Sequence, residues 1–305
     1  MKIVKHFAHA ATALCLAAGI CAAEPATVND VYPGILNGAL STASFGQVPE
    51  GTIVQYGDES VTAAELGEIL AGAPAAVKPQ LEKNALFLVQ ELATKELLAR
   101  AAREAAAKNG TDVTGKSAGG LIGDHLQAHV ADVSVSDEEL KAFYDQNQDM
   151  FGGASFEKVQ RALREFVRKQ KRQEKVDEYV RGLGGVYGAV IAEDWGKRHA
   201  ELALDNPVDK ARLNKLPTMV DFGATGCRPC EMMAPILETL KTKYAGKADI
   251  LFVHVQQEQF LATRFGISSI PVQVFFDKAG KGTFRHTGFF SQEDIEKKLA
   301  ELGAE

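Results

Sequence analysis

The hydrophobic pattern changes period once along this chain, near residue 216, and that change limits what the chain can fold into. Downstream, short apolar runs alternate with helix-length segments. TMVDFGA reads as a strand, 228–244 as a helix, ADILFVHV as a strand and 258–265 as a short helix. PVQVFFD and GTFRHTGF follow as strands joined by the turn Lys278-Ala279-Gly280-Lys281-Gly282, and a last helix runs from Gln292 to Leu302. The order β-α-β-α-β-β-α specifies a small α/β domain on a mixed central sheet over 216–305.

Upstream, helical periodicity dominates. Residues 24–50, rich in Gly, Pro, Ser, Thr and Asn, read as an irregular lead-in with one short helix at most, and TIVQYGDESVT as a hairpin. Thr62 to Glu65 spells a capping box, which starts a helix. A long helix is expected from Pro79 to about Lys108, with Leu81, Ala85, Leu88, Leu92 and Ala99 on one face, ended by Asn109-Gly110. A flexible break is expected over 110–120. Ser136 to Glu139 opens another helix, through DEELKAFYDQNQDMF to Gly152-Gly153. The next is the most amphipathic: Phe156, Val159, Leu163, Phe166 and Val167 form its stripe, continued by Val176, Val180 and Leu183, and Gly182, Gly184 and Gly185 should end it. Its outer face carries eight Lys/Arg against three Glu between Glu157 and Lys175, which a solvated face explains. The resulting division is a mostly helical domain over 51–185 and a helical linker over 186–215, interrupted at Asn206-Pro207.

A length of 305 residues accommodates two such domains, and a net charge of −6 argues against a general nucleic-acid binder. The first 23 residues have the anatomy of a secretory signal peptide: two lysines in MKIVKH, an apolar small-residue core, and a cleavage site ending at Ala23 with Cys21 at the −3 position. Ile20 stands where a lipoprotein signal wants a small residue, which argues against lipidation of Cys21. No later run of 18 apolar residues exists, so the mature chain is expected to lack a membrane span and to be exported to the periplasm.

Removal of that segment takes Cys15 and Cys21 with it and leaves Cys227 and Cys230. A structural staple gains little from closing so short a loop. A zinc site needs four ligands and the pair supplies two, with none of the five remaining histidines near it in sequence. The HxxxH pair His125/His129 would share a helical face, for which solvent exposure is the plain reading. Redox chemistry is favoured. The i, i+3 spacing places both sulfurs in the first turn of a helix, where free N–H groups and the positive end of the dipole stabilise a thiolate. Cys227, at the very N-terminus, is the expected nucleophile, and Cys230, one turn inside, the resolving thiol. Pro229 suits a first turn, where a missing N–H costs nothing.

Residues 216–302 resemble the thioredoxin family. VDFGATGCRPCEMMAPILETL is similar to that family's active-site strand and helix, and FGISSIPV to its later loop, where the proline is cis. The resemblance implies a thioredoxin fold and a redox-active Cys227–Cys230 disulfide with no other cofactor and no metal. It also implies a buried carboxylate at Asp221 beneath the cysteines, and substrate contact at Ile270, Pro271 and Arg228. Departures are visible. Gly223 and Gly226 stand where the family usually carries tryptophans, Phe252 where it carries a lysine that pairs the carboxylate, and Glu231 where lysine is frequent. The direction of electron flow is therefore left open.

Residues 51–183 resemble the N-terminal chaperone domain of SurA and related periplasmic chaperones. QYGDESVTAAELGEIL followed by a long helix is similar to its start, and VSDEELKAFYDQN and FEKVQRALREFVRKQKRQEKVDEYVRGL to the helices that flank the parvulin isomerase there. Only a Gly-Gly-Ala stretch lies between them here, so the isomerase is absent. Together the resemblances imply an exported thiol–disulfide oxidoreductase, of reductase or isomerase type, acting on unfolded or disulfide-bearing exported clients. It would draw electrons from a thiol–disulfide donor that the sequence does not identify. The alternatives are a holdase chaperone with the thioredoxin fold as a binding or dimerisation module, and a dedicated reductant of one partner such as an apocytochrome. Intact mass of the exported protein checks the first step: a chain beginning at Glu24 is expected, and a retained N-terminus or a lipid on Cys21 would refute it.

Overall fold

The computed structural model describes residues 26–146 and 148–304. The expected signal peptide lies outside the described residues. The first half of the described chain is built of α1 (Val28–Val31), β1 (Ser44–Gly46), β2 (Thr52–Tyr56), β3 (Glu59–Thr62), α2 (Ala63–Gly72), α3 (Lys78–Lys83) and α4 (Ala85–Lys108). These continue into α5 (Ala118–His129), α6 (Asp137–Gln146), α7 (Phe156–Val186), β4 (Val190–Ala192) and α8 (Glu193–Leu204). The hairpin β2–β3 turns at Gly57, whose φ of +63° favours glycine. Thr62 and Glu65 cap α2 reciprocally, and Ser136 and Glu139 do the same for α6.

Several elements differ from expectation, each through a long-range contact. The lead-in is part of the core: Val28, Ile35, Leu36, Ala39, Leu40 and Ala43 are buried against Leu86, Val89 and Leu97 of α4. The helix expected from Pro79 breaks at Asn84 into α3 and α4. Within 110–120 the break ends early, because Ser117 caps α5 by accepting from the Gly120 N–H. Gly182, Gly184 and Gly185 do not end α7, which runs on to Val186. Gly184 is a packing glycine: a Cβ there would lie 2.1 Å from the Ala39 carbonyl oxygen. Residues 186–204 are no linker. β4 pairs parallel with β1 and antiparallel with β2, giving a sheet of order β1-β4-β2-β3, and Ala200 and Ala203 of α8 sit in the same core as α4. The α6–α7 pair keeps a separate apolar cluster around Leu140, Leu163 and Val167. His125 and His129 pack against Tyr179 of α7, with His125 Nε2 2.7 Å from the Tyr179 hydroxyl, instead of facing solvent.

The second half follows the expected order. α9 (Pro207–Arg212) leads into β5 (Thr218–Gly223), α10 (Arg228–Lys243), β6 (Asp249–His254), α11 (Gln259–Arg264), β7 (Val272–Phe276), β8 (Gly282–Thr287) and α12 (Gln292–Glu301). The sheet order is β6-β5-β7-β8, with β5–β6 parallel and the other two pairings antiparallel. Met219, Met233, Leu237 and Phe275 fill one face under α10 and α12, and Val220, Phe222, Val274 and Leu261 the other under α9 and α11. Among the described residues no helix is long and apolar enough to cross a membrane.

The halves meet at a buried ion cluster. Asp209, fully buried on α9, accepts from Arg212 Nε at 2.5 Å and from Nη1 and Nη2 of Arg264. Arg212 Nη1 also donates to Pro33 O at 2.6 Å and Gly280 O at 2.9 Å, one carbonyl from each half. Arg264 lies 4.6 Å over the Phe87 ring of α4, and Asn37 Nδ2 donates to Arg264 O at 2.9 Å. Burial opposes ionisation of Asp209, but the two arginines outweigh it and hold its carboxyl below the usual range. Asp209→Ala leaves two guanidinium groups buried without a counter-charge, so it should lower stability by about 3–5 kcal/mol in urea unfolding at pH 7. A depressed carboxyl contributes stability above its unfolded value of about 4 that is lost as pH falls through the folded one, so variant and parent should converge in acid.

Candidate active site

β5 delivers the chain to the top of the sheet, where Ala224-Thr225-Gly226 turns it into α10. Gly226, at φ +80°, makes that turn. Cys227 is the N-cap of α10, and its Sγ accepts from the Cys230 N–H at 3.4 Å, in the first turn where backbone donors lack helical partners. The two cysteines form a disulfide with their Cα atoms 5.2 Å apart. Cys227 is partly exposed and Cys230 is buried, with Arg228 and Pro229 exposed between them. Access to the pair is thus through Cys227.

The strand beneath places the other groups. A Cβ on Gly223 would lie 3.3 Å from Cys230 Sγ and 2.8 Å from the Phe252 ring, so the absent side chain leaves room for both. Asp221, two residues earlier on β5, faces the same side of the sheet as Gly223, below Cys230. It is fully buried, and its Oδ1 accepts from Gln273 Nε2 at 2.7 Å. Burial pushes the carboxyl up to about 6, with the Gln273 donor acting against that rise. Phe252 stands in register with Asp221 and supplies no charge.

The Ile270–Pro271 peptide is cis, as the family resemblance implied. Pro271 is buried and Ile270 partly exposed. β7 begins at Val272, opposite Phe222 of antiparallel β5, so this loop stands at the same end of the sheet as Cys227. Arg285 fixes the approach to it by donating to Phe265 O at 2.7 Å and Gly266 O at 2.8 Å. The structure thus gathers Cys227, Cys230, Asp221, Arg228, Ile270 and Pro271 at one end of one sheet.

Two neighbours escaped the sequence reading. His254 is 24 residues beyond Cys230, yet parallel pairing sets it opposite Gly223, and its Nε2 accepts from the Thr225 N–H at 3.2 Å. Gln273 is the other; its signal was a lone polar residue at a core-facing position of VQVFF. Among the described residues no group of three or more His, Cys, Asp or Glu side chains is arranged to hold a metal.

A cysteine pair joined as a disulfide at a helix N-terminus above a mixed four-stranded sheet defines a thiol–disulfide redox domain. The thioredoxin family model matches residues 200–301. Thioredoxin of Staphylococcus aureus (strain Mu50 / ATCC 700699) is 41% identical over 81 residues, covering 27% of this chain and 77% of that protein. Thioredoxin of Staphylococcus haemolyticus (strain JCSC1435) is 42% identical over the same shares. A crystal structure of chloroplastic thioredoxin z aligns at 28% identity over 30% of this chain and 82% of that one, with a TM-score of 0.28. The chain belongs to the thioredoxin family through its C-terminal third, and the match begins at residue 200, upstream of the boundary expected at 216. Membership carries thiol–disulfide redox function. The helical half remains outside this assignment.

The raised Asp221 carboxyl has a thermodynamic consequence. Between pH 3.8 and about 6 the folded chain keeps a proton that the unfolded chain has released, so this group's contribution to stability falls as pH rises through that window. Asp221→Asn removes the penalty. It should stabilise the protein at pH 7 by up to about 3 kcal/mol in urea unfolding, and the gain should vanish below pH 4.

Proposed function

We propose that the protein is an exported disulfide reductase that acts on clients held by its N-terminal half. The observation that carries the redox part is the asymmetry of the pair: Cys227 partly exposed, Cys230 buried, both in the first turn of α10. In the reduced enzyme the helix N-terminus stabilises the Cys227 thiolate. That thiolate attacks one sulfur of a client disulfide, forming a mixed disulfide and releasing the other client sulfur as a thiolate. Cys230 then loses its proton to the Asp221 carboxylate. Its sulfur bonds to Cys227 Sγ, and the second client sulfur leaves as a thiolate. The products are a reduced client and the Cys227–Cys230 disulfide, which a thiol–disulfide donor must reduce again. Ile270 and Pro271, at the same end of the sheet as the pair, would align an extended client segment, with Arg228 at the rim. No further cofactor enters the scheme.

The client-holding part rests on the likeness of 51–183 to SurA-type chaperone domains, and the periplasmic location on the signal-peptide anatomy of residues 1–23. α7 adds support: it is 31 residues long, and Phe166 on its apolar stripe is 39% exposed. A holding domain raises the local concentration of client disulfides at Cys227 to roughly millimolar.

Insulin reduction driven by dithiothreitol tests the chemistry. Cys227→Ser is expected to abolish it, and Cys230→Ser to accumulate mixed disulfides through Cys227. Equal rates for parent and Cys227→Ser would remove the redox reading and leave the holdase. Phe166→Asp should slow reduction of a large unfolded client several-fold while leaving a small disulfide unaffected. Equal rates on both would remove the client-holding reading.

A further inference from the structure

Asp221 and Gln273 are direct partners in the β5–β7 register, so both side chains leave the sheet on the same face. Gln273 is fully buried, a primary amide in a strand whose other residues are Val and Phe. Its Nε2 donates to Asp221 Oδ1 at 2.7 Å. Two buried oxygens are left without a donor: Asp221 Oδ2 and Gln273 Oε1. Unpaired buried acceptors are costly, and an apolar side chain of similar volume at position 273 would avoid both the burial of the amide and its orphaned carbonyl. Packing therefore does not account for the glutamine.

Its surroundings narrow the role. Across the sheet the same row holds Phe252 on β6 and His286 on β8. Phe252 carries no charge. His286 stacks on Phe290 at 4.2 Å, with its Nε2 3.1 Å from Phe289 O, and burial lowers its proton affinity, so it brings no cation to the row at neutral pH. From α10 the group facing this end of the row is Cys230, whose sulfur reaches the space above Gly223. Among the described residues Asp221 thus has one hydrogen-bond partner to orient it, Gln273.

We infer that Gln273 is a positioning residue for the resolving step: it holds Asp221 by Oδ1, leaves Oδ2 free to take the proton of the Cys230 thiol, and offers Oε1 to the acid hydrogen so formed. The inference rests on Asp221 being the proton acceptor. Before transfer the amide N–H supports the carboxylate. After transfer the O–H on Oδ2 and the carbonyl Oε1 satisfy each other, so both orphaned oxygens acquire a partner only when the proton arrives. No sulfur–oxygen bond forms; one proton moves from Cys230 to Asp221, and the electron pair it leaves behind makes the bond to Cys227.

The test is a two-phase release of nitrothiobenzoate from the reduced full-length protein mixed with the symmetric aromatic disulfide. The first release reports attack by Cys227, and the second reports attack by Cys230 on the mixed disulfide. In the parent, the second-phase rate should fall below a pH of about 6, where Asp221 is already protonated. Gln273→Leu removes both the donor to the carboxylate and the acceptor of the acid hydrogen; the first is a bond to a charged group and outweighs the second, so the net effect disfavours the carboxylate. Its acid limb should move up by roughly one pH unit, so that the second phase is about fivefold slower near pH 6 and unchanged above pH 8, with the first phase unaffected. Gln273→Met serves the same purpose if the leucine variant does not fold. A second phase whose pH profile matches the parent in the folded variant overturns the role of Gln273, provided that Asp221→Asn does alter the profile. If Asp221→Asn also matches the parent, the proton-acceptor reading of Asp221 falls, and the role of Gln273 with it.

Discussion

An ionised carboxylate with no solvent exposure needs counter-charge, and Asp209 obtains it from two arginines that come from different parts of the chain. Arg212 is one turn along α9, and Arg264 ends α11. Because Arg212 also reaches Pro33 O and Gly280 O, satisfying this one carboxylate draws the lead-in of the first half and the β7–β8 turn of the second against the same guanidinium. The donors to Asp209 all lie in the second half, whereas the carbonyls that Arg212 reaches come from both. The cluster fixes the relation between the halves more firmly than apolar contact would, since hydrogen bonds to charged groups are directional and a missing partner leaves a buried charge.

The cluster also bears on the redox end of the molecule. Arg264 immediately precedes Phe265 and Gly266, whose carbonyls Arg285 holds, and the chain then runs through Ser268-Ser269 to the cis Ile270–Pro271 peptide. Asn37 of the lead-in donates to Arg264 O, so the helical half touches the root of the loop at the same end of the sheet as Cys227. A mechanical path between the halves is therefore short: one helix terminus and six residues of loop.

At the site two electrostatic environments lie a few residues apart. Cys227 sits in the open field of a helix N-terminus, which favours negative charge. Asp221, in the sheet below, is fully buried with a single neutral donor and an aromatic neighbour on β6, and burial pushes its carboxyl up to about 6. One environment favours an anion and the other disfavours it. That contrast suits a site where a thiolate attacks from above and a proton is taken up beneath.

Local signals made much of this legible. The capping boxes at Thr62 and Ser136, the Asn206-Pro207 boundary and the strand–helix order after Thr218 depend on interactions within a few residues, and the structure keeps them all. The cysteine spacing set the placement of both sulfurs in the first turn of α10, because i and i+3 share a helix turn whatever surrounds it. Other features had no local trace. β4 is three residues long and is a strand only because β1 and β2 flank it; Gly184 reads as a helix stop until Ala39 is seen packed against it. The charges at Asp209, Arg212 and Arg264 look like ordinary surface residues of short helices, and Gln273 like an interruption of a strand. The sequence by itself determined the redox pair and the order of elements around it, since both follow from short-range geometry. Only the tertiary structure decided which polar groups are buried together, because the cost of burying a charge or an amide depends on partners tens to hundreds of residues away.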